Sequence, residues 1–152
     1  MAAGTDHAGA LRWSGNLTWW GSAFYGQTSV PVLHNPPLVF ETITTGGYHT
    51  CGTDPGKEPH CWGLDTDGQA SPPSTHKFYM MSAGAIHTCG LCQNCFTDAS
   101  VSCWGAGGYG QIHGYPGGSM QTLSAGFYHT CAIDLNDHME CWGDDLHGPR
   151  TA

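Results

Sequence analysis

The stretch LSAGFYHTCA at residues 123–132, followed by ECWG at residues 140–143, decides the fold because it recurs along the chain. The same frame reads MAAGTDHAGA at residues 1–10, ITTGGYHTCG at residues 43–52 and MSAGAIHTCG at residues 81–90. In each copy a glycine stands three positions before a histidine, and a Trp-Gly pair follows that histidine by 13 residues, or by 17 in the third copy. Self-similarity at a period of about 40 residues indicates a repeat architecture.

Each copy also has the pattern of a β-hairpin. Turn-forming residues at 54–56 and 135–137 lie midway between two β-prone runs. Glycine (23 residues) and proline (9 residues) are abundant, and no segment shows the periodicity of a long helix. We therefore predict an all-β chain that forms a single repeat domain over residues 1–152, with copies at about 1–42, 43–80, 81–122 and 123–152.

Two aromatic residue types mark equivalent positions in all four copies. Because repetition at one position favours an architectural role, we expect the histidines to hydrogen-bond a neighbouring turn and the tryptophans to be the packing anchor of each copy. The alternatives are a ligand or pH-sensing role for the histidines and a sugar-binding edge for the tryptophans. The positions are His7, His49, His87 and His129, and Trp20, Trp62, Trp104 and Trp142.

Six of the eight cysteines occupy two equivalent positions in three copies, as Cys51 with Cys61, Cys89 with Cys103, and Cys131 with Cys141. In the first copy, Gly9 and Trp19 stand at these two positions, and the joint absence indicates that the two cysteines bond to each other. Cross-strand neighbours lie about 4.5 to 5.5 Å apart, which a disulfide can bridge. Trp19 then replaces the disulfide with buried area.

Cys92 and Cys95 lie in an insertion in the third copy. We pair them with each other, while the crossed pairing of Cys89 with Cys92 and Cys95 with Cys103 stays open. A Cys-x-x-Cys pair also suits a zinc half-site or a redox centre, but zinc needs two further ligands and the redox motif normally opens a helix in a βαβ unit. A disulfide at the tip of a loop is the favoured interpretation, so no metal site is predicted.

Charge and cysteine content point to the compartment. Four basic residues against twelve acidic ones give a net charge of −8, which phosphate backbones would repel, so nucleic acid is not an expected partner. Eight cysteines favour a secreted or cell-surface protein, and no apolar stretch predicts membrane insertion. Residues 1–20 do not have the pattern of a signal peptide, which predicts a mature piece or a fragment. Asn16 begins the one N-glycosylation sequon.

Catalytic and cofactor motifs are missing from the sequence. It contains no nucleophile elbow, phosphate-binding loop or zinc-protease motif, so we predict no catalytic residues, no cofactor and no enzyme activity. The run DTDG at residues 65–68 resembles the start of a calcium loop but lacks the later carboxylate, which favours a solvated turn. Trp13 and Trp19 occur only in the first copy and are the candidates for a binding surface.

The recurring sequence motifs around His129 and Trp142, followed by Gly-Gln as in Gly68-Gln69, closely resemble the regulator of chromosome condensation repeat. The resemblance is to the cysteine-bearing form found in secreted members. The resemblance implies a β-propeller in which each repeat makes one four-stranded blade and which serves as a protein-binding platform. Propellers of this family usually close with more blades than four copies supply. The chain is therefore expected to be a partial or open propeller, a small ring, or a unit that stacks with other copies.

These observations predict an extracellular, non-catalytic module for recognition or assembly, with a protein or a glycan as its partner. One alternative is a structural subunit of an extracellular fibre that polymerises through the open repeat ends. A second alternative is a lectin, which the additional tryptophans of the first copy favour.

Overall fold

A computed structural model of the chain describes residues 1–31, 38–93, 95, 100–115 and 117–144. These residues form four antiparallel sheets of three strands each, one from each copy of the repeat. The all-β, propeller-like prediction is therefore confirmed. The sheets consist of β1 (Ala2–Ala3), β2 (His7–Leu11) and β3 (Leu17–Gly21); β4 (Thr42–Thr45), β5 (His49–Thr53) and β6 (Pro59–Gly63); β7 (Phe78–Ala83), β8 (His87–Cys92) and β9 (Val101–Gly105); and β10 (Met120–Ala125), β11 (His129–Asp134) and β12 (Met139–Gly143).

The second and third strands of every sheet form the hairpin expected from the sequence, in one shared register. Cys51 lies opposite Cys61 in the second sheet, and Gly9 lies opposite Trp19 in the first. The predicted turns close these hairpins; for example, the Lys57 amide donates to the Asp54 carbonyl at 2.9 Å. The structure contains the disulfides Cys51–Cys61, Cys89–Cys103, Cys131–Cys141 and Cys92–Cys95, and not the crossed pairing.

In the first three sheets, the glycine that precedes the repeated histidine is explained by the close approach of successive sheets. A Cβ added to Gly46 would lie 2.3 Å from the carbonyl oxygen of Gly84, which belongs to the next sheet. The neighbouring amide, that of Gly47, donates to this same carbonyl at 3.1 Å. Corresponding turns of all four sheets line one shared depression of about 210 Å³. The first strands are thus gathered around a common axis, as in a propeller.

The hydrophobic core lies between successive sheets. One cluster joins Cys51 of the second sheet to Phe78 and Trp104 of the third. Another joins Leu91 of the third sheet to Trp142 of the fourth. Because each sheet completes its core only against its neighbour, the repeats stabilise one another in sequence order.

Each sheet has three strands in the described residues, whereas the family resemblance implied four. The segment between β6 and β7, residues 64–77, is described throughout and forms turns without a strand. Its turns are held by their own side chains, since Asp65 accepts from the Ala70 amide at 2.8 Å and the Ser71 hydroxyl at 2.6 Å. No helix in the described part of the chain is long and apolar enough to span a membrane.

Candidate functional site

The repeated histidines connect one sheet to the next. The Nε2 atom of His49 lies 2.8 Å from the Thr88 hydroxyl, and that of His87 lies 2.9 Å from the Thr130 hydroxyl. His7 makes the same contact with Thr50 at 2.8 Å. The sequence predicted a neighbouring turn as the partner, whereas the partner is a threonine in a strand of the following sheet.

The main-chain carbonyl of a glutamine accepts the other hydrogen bonds of each interface. The Thr88 hydroxyl donates to the Gln69 carbonyl at 3.0 Å, and the Trp104 indole Nε1 donates to the same oxygen at 3.0 Å. Because this hydroxyl uses its hydrogen on the carbonyl, it accepts from His49, which places the proton of that imidazole on Nε2. The sequence analysis gave these threonines and glutamines no role, although a threonine follows the histidine in the last three repeats and a glutamine follows the Gly in the first three.

The outer sheets differ from the inner ones at these positions. Trp62, Trp104 and Trp142 are buried, but Trp20 is 55% exposed because no described sheet lies on its side. His129 is also exposed, since the described part contains no sheet beyond the fourth. In the first sheet, Ala8 occupies the position that a threonine holds in the others.

Burial keeps two of the connecting histidines uncharged. The pKa of His49 is lowered to about 4, chiefly by burial and then by the nearby His87 and His7, although Asp65 acts to raise it. The pKa of His87 is lowered to about 4 by burial and then by His129. The Nδ1 atoms of His49 and His87 have no hydrogen-bond partner among the described residues.

The two additional tryptophans of the first repeat have different environments. Trp19 packs edge-on against Trp62, with ring centroids 5.7 Å apart, and its indole Nε1 is buried. Its ring covers Gly9, where an added Cβ would meet it at 2.1 Å. Trp19 therefore occupies the place of the missing disulfide, and its side chain is half-buried. Trp13, in contrast, is fully exposed.

Trp13 stands at a groove of about 640 Å³ beside the turn between β2 and β3. Apolar contact is offered by Leu11 and Val39 above the buried Phe40, while Arg12 and Glu41 contribute charges. Glu41 is held by an ion pair with Lys57. An exposed indole beside an apolar groove with a few charges is the type of surface that anchors a binding partner.

Asn16 belongs to the same turn and is exposed, so the sequon is accessible. The Arg12 amide donates to the Asn16 carbonyl at 2.9 Å, which fixes the turn that presents Trp13.

Comparison with known proteins identifies the type of repeat. The model of the regulator of chromosome condensation (RCC1) repeat matches residues 121–148, which correspond to most of the fourth copy. This match and the arrangement of the sheets give the chain an RCC1-like β-propeller architecture.

Solved propellers resemble the chain over nearly all of its length. The CRINKLY WD40 ectodomain of the Arabidopsis thaliana receptor kinase ACR4 is 27% identical over 99% of this chain, with a TM-score of 0.73. The ectodomain of the Physcomitrella patens receptor kinase CR4 is 29% identical over 98%, with a TM-score of 0.74. Prp20p from Saccharomyces cerevisiae, at 17% identity over 93% and a TM-score of 0.76, shares the fold. The chain covers 50%, 41% and 44% of these three chains.

Proposed function

We propose that this chain is a non-catalytic, extracellular protein-recognition module that binds its partner in the groove around Trp13. The fully exposed Trp13 carries the proposal. A tryptophan exposes a large apolar surface to water, and such residues are among the commonest energetic centres of protein interfaces. The groove beside it offers the exposed side chain of Val39 and the half-buried side chain of Leu11 for a partner to cover.

Two observations support the extracellular setting. The four disulfides lie at strands or loops of three of the four repeats, and disulfides persist mainly in oxidising compartments. The two plant structures that resemble the chain are receptor-kinase ectodomains. We infer that the single domain over residues 1–152 uses its sheets as a rigid support and its hairpin turns as contact surface.

A lectin is the second candidate, because exposed indoles also stack on sugars. Charged neighbours such as Arg12 and Glu41 suit a hydrogen-bonding ligand as well as a protein. A protein-recognition module and a lectin differ in the size of the ligand that the groove would bind. The Trp13 variant and its control described below test both functions.

Self-association into fibres has weaker support. If the fourth sheet of one copy packed on the first sheet of another as the inner sheets pack, His129 would meet the methyl group of Ala8 instead of a threonine hydroxyl. The imidazole would then lose the hydrogen bond that each internal interface makes, which costs about 1 to 3 kcal/mol.

The test is a binding screen of the oxidised protein, displayed as a multimer, against a library of secreted proteins and receptor ectodomains and, in parallel, a glycan array. We expect a protein partner whose affinity falls by roughly 30-fold or more on Trp13→Ala. The matched control is Leu135→Ala, which removes an exposed apolar side chain from the equivalent turn between β11 and β12.

Each result has a definite meaning. The groove is supported as the binding site if Trp13→Ala weakens partner binding and Leu135→Ala leaves it unchanged. Glycan binding that depends on Trp13 would identify the module as a lectin instead of a protein-recognition module. Partner binding that is insensitive to Trp13 would contradict the groove as the binding site.

A further inference from the structure

The insertion of the third repeat places two sulfur atoms beside a histidine. Ligand atoms of His76, Cys92 and Cys95 all lie within 4.8 Å of one another. Within the described residues, no other group of three His, Cys, Asp or Glu side chains brings its ligand atoms this close. We propose that reduction of the Cys92–Cys95 disulfide opens a zinc site formed by the two thiolates and the imidazole of His76.

Backbone pairing holds two of the three residues, His76 and Cys92, close together, and the disulfide joins Cys95 to Cys92. Cys92 pairs with Phe78 at the start of β7, two residues after His76. Just beyond this pair, the Gln93 amide donates to the Lys77 carbonyl at 2.7 Å. The Cys92 amide donates to the Ser100 carbonyl at 2.9 Å. Two of the three ligands are thus positioned by the backbone, and Cys95 in the inserted loop is the ligand that moves to complete the site after reduction.

His76 has a ring nitrogen available for coordination. Its Nδ1 atom is buried and has no hydrogen-bond partner among the described residues. A buried imidazole nitrogen normally finds a partner, because burial without one is costly. Neutral imidazole and thiolate are the ligands that zinc prefers, and three protein ligands leave the fourth tetrahedral position to water or another small ligand.

The Cys92–Cys95 bond differs from the other three disulfides in the length of chain that it closes. Its cysteines are 3 residues apart, whereas the cross-strand pairs are separated by 10, 14 and 10 residues. A disulfide that closes a shorter loop restricts the unfolded chain less, so it stabilises the protein least. The cross-strand disulfides also join paired strands, whereas Cys95 lies in the inserted loop after β8.

Opening the site requires a dithiol reductant. Its thiolate attacks the half-buried Cys95 sulfur, the Cys92–Cys95 bond breaks, and Cys92 departs with the electron pair as a thiolate. The second thiol of the reductant then attacks its own sulfur in the mixed disulfide, which releases Cys95 as a thiolate and leaves the reductant as a cyclic disulfide. The two thiol protons of the reductant pass to solvent, and zinc binds the two thiolates.

The test begins with limited reduction of the intact protein by a dithiol, followed by anaerobic removal of the reductant. Alkylation and peptide mapping of one portion of the sample identify which cysteines have been released. The remaining, unalkylated protein is titrated with Zn²⁺ against a chromophoric chelator and with Co²⁺, whose thiolate charge-transfer absorption reports sulfur ligation. We expect Cys92 and Cys95 to be released first and to bind one metal ion per chain.

Variants identify the ligands. His76→Gln should raise the zinc Kd by roughly tenfold or more, while His113→Gln, at an exposed histidine outside the cluster, should leave it unchanged. The oxidised form of His76→Gln keeps every disulfide, so its near-UV circular dichroism shows whether the fold is intact. The double variant Cys92→Ser with Cys95→Ser should show no cobalt charge-transfer absorption.

Three results would overturn the proposal. One is release of a cross-strand disulfide before Cys92–Cys95. Another is equal zinc affinity of the oxidised and reduced proteins, which would indicate binding by other histidines. The third is a zinc Kd that does not change in His76→Gln. None of these results bears on partner binding at Trp13, so this proposal and the proposed function fail independently.

Discussion

The side-chain amide of Gln27 donates to the carboxylate of Asp6, with the Gln27 Nε2 atom 3.2 and 3.3 Å from the two carboxylate oxygens. The same carboxylate lies 3.2 Å from the Nδ1 atom of His7. Later repeats have Tyr48 and Ile86 at the position of Asp6. In these repeats the side-chain Nε2 atoms of Gln69 and Gln111 are buried without a hydrogen-bond partner among the described residues. The same is true of the Nδ1 atoms of His49 and His87.

This difference predicts that Ile86→Asp raises the pKa of His87. A carboxylate at residue 86 would face the Nδ1 atom of His87 as Asp6 faces His7, and a nearby negative charge favours the protonated imidazole. The pKa should therefore rise from about 4 toward the ordinary histidine value of 6.5. The measurement is an NMR titration of the imidazole resonances.

Ile86→Asn is the matched control, because it has nearly the same shape as aspartate without the charge. We expect it to leave the pKa of His87 low. An equal rise in both variants would show that added solvent access, and not the carboxylate, had changed the pKa.

The buried histidines also predict loss of stability in mild acid. His49 and His87 have pKa values of about 4 in the folded chain and 6.5 as the ordinary value. Between these values the unfolded state binds protons that the folded state does not, so the free energy of unfolding decreases as the pH falls from 6.5 to 4. The full decrease is about 3 kcal/mol for each histidine.

Thermal unfolding of the oxidised protein between pH 7.5 and 4.5 measures this effect. Carboxylates such as Asp134, whose pKa is lowered below its ordinary value by amide hydrogen bonds, contribute at lower pH. His87→Gln should make the pH dependence shallower, while His113→Gln should not change it. A melting temperature that is constant from pH 6.5 to 4.5 would contradict a role for the buried histidines.

Thr88→Val tests the connection between the second and third sheets. Valine preserves the shape of threonine but removes the hydroxyl that accepts from His49 and donates to the Gln69 carbonyl. The buried imidazole Nε2–H would lose its partner, which should lower the free energy of unfolding by about 1 to 3 kcal/mol. Chemical denaturation under non-reducing conditions measures the change.

Thr88→Ser provides the comparison, because it keeps the hydroxyl and loses only a methyl group. The hydrogen-bond explanation requires that the valine variant be the less stable of the two. The reverse order would assign the role of Thr88 to packing.

The sequence predicted the hairpins and their disulfides because both are local. Cys51 and Cys61 lie within one copy, and the joint substitution by Gly9 and Trp19 in the first copy shows that the two positions face each other. The same comparison predicted that Trp19 replaces a disulfide. Its ring does lie over Gly9.

Contacts between copies were harder to predict. The hydroxyl that binds His49 belongs to Thr88, which lies 39 residues further along the chain, in the next sheet. The repeat pattern shows that a histidine and a threonine recur side by side, but it does not show that each histidine binds the threonine of its neighbour. For the same reason, the sequence could not distinguish the exposed Trp20 from its buried equivalents, because the difference arises from the presence of an adjoining sheet.

A disulfide introduced into the first repeat tests whether Gly9 and Trp19 are equivalent to the cysteine pairs. The double substitution Gly9→Cys with Trp19→Cys places two cysteines in the register that Cys51 and Cys61 occupy. Existing cross-strand disulfides have Cα–Cα distances of 4.0 to 4.1 Å. We expect the new disulfide to form and to contribute about 3 kcal/mol by restricting the unfolded chain. This should offset the loss of about 3 kcal/mol that the removal of the half-buried Trp19 causes.

Trp19→Ala separates the two contributions, because it removes the packing on Trp62 without adding a disulfide. This variant should unfold at lower denaturant concentration than the wild type, while the oxidised double-cysteine variant should be close to the wild type. Peptide mapping without reduction establishes whether the two introduced cysteines have joined in the double variant. If they remain as free thiols while the other disulfides are intact, the first hairpin does not share the register of the others, and Trp19 has a role other than replacing the disulfide.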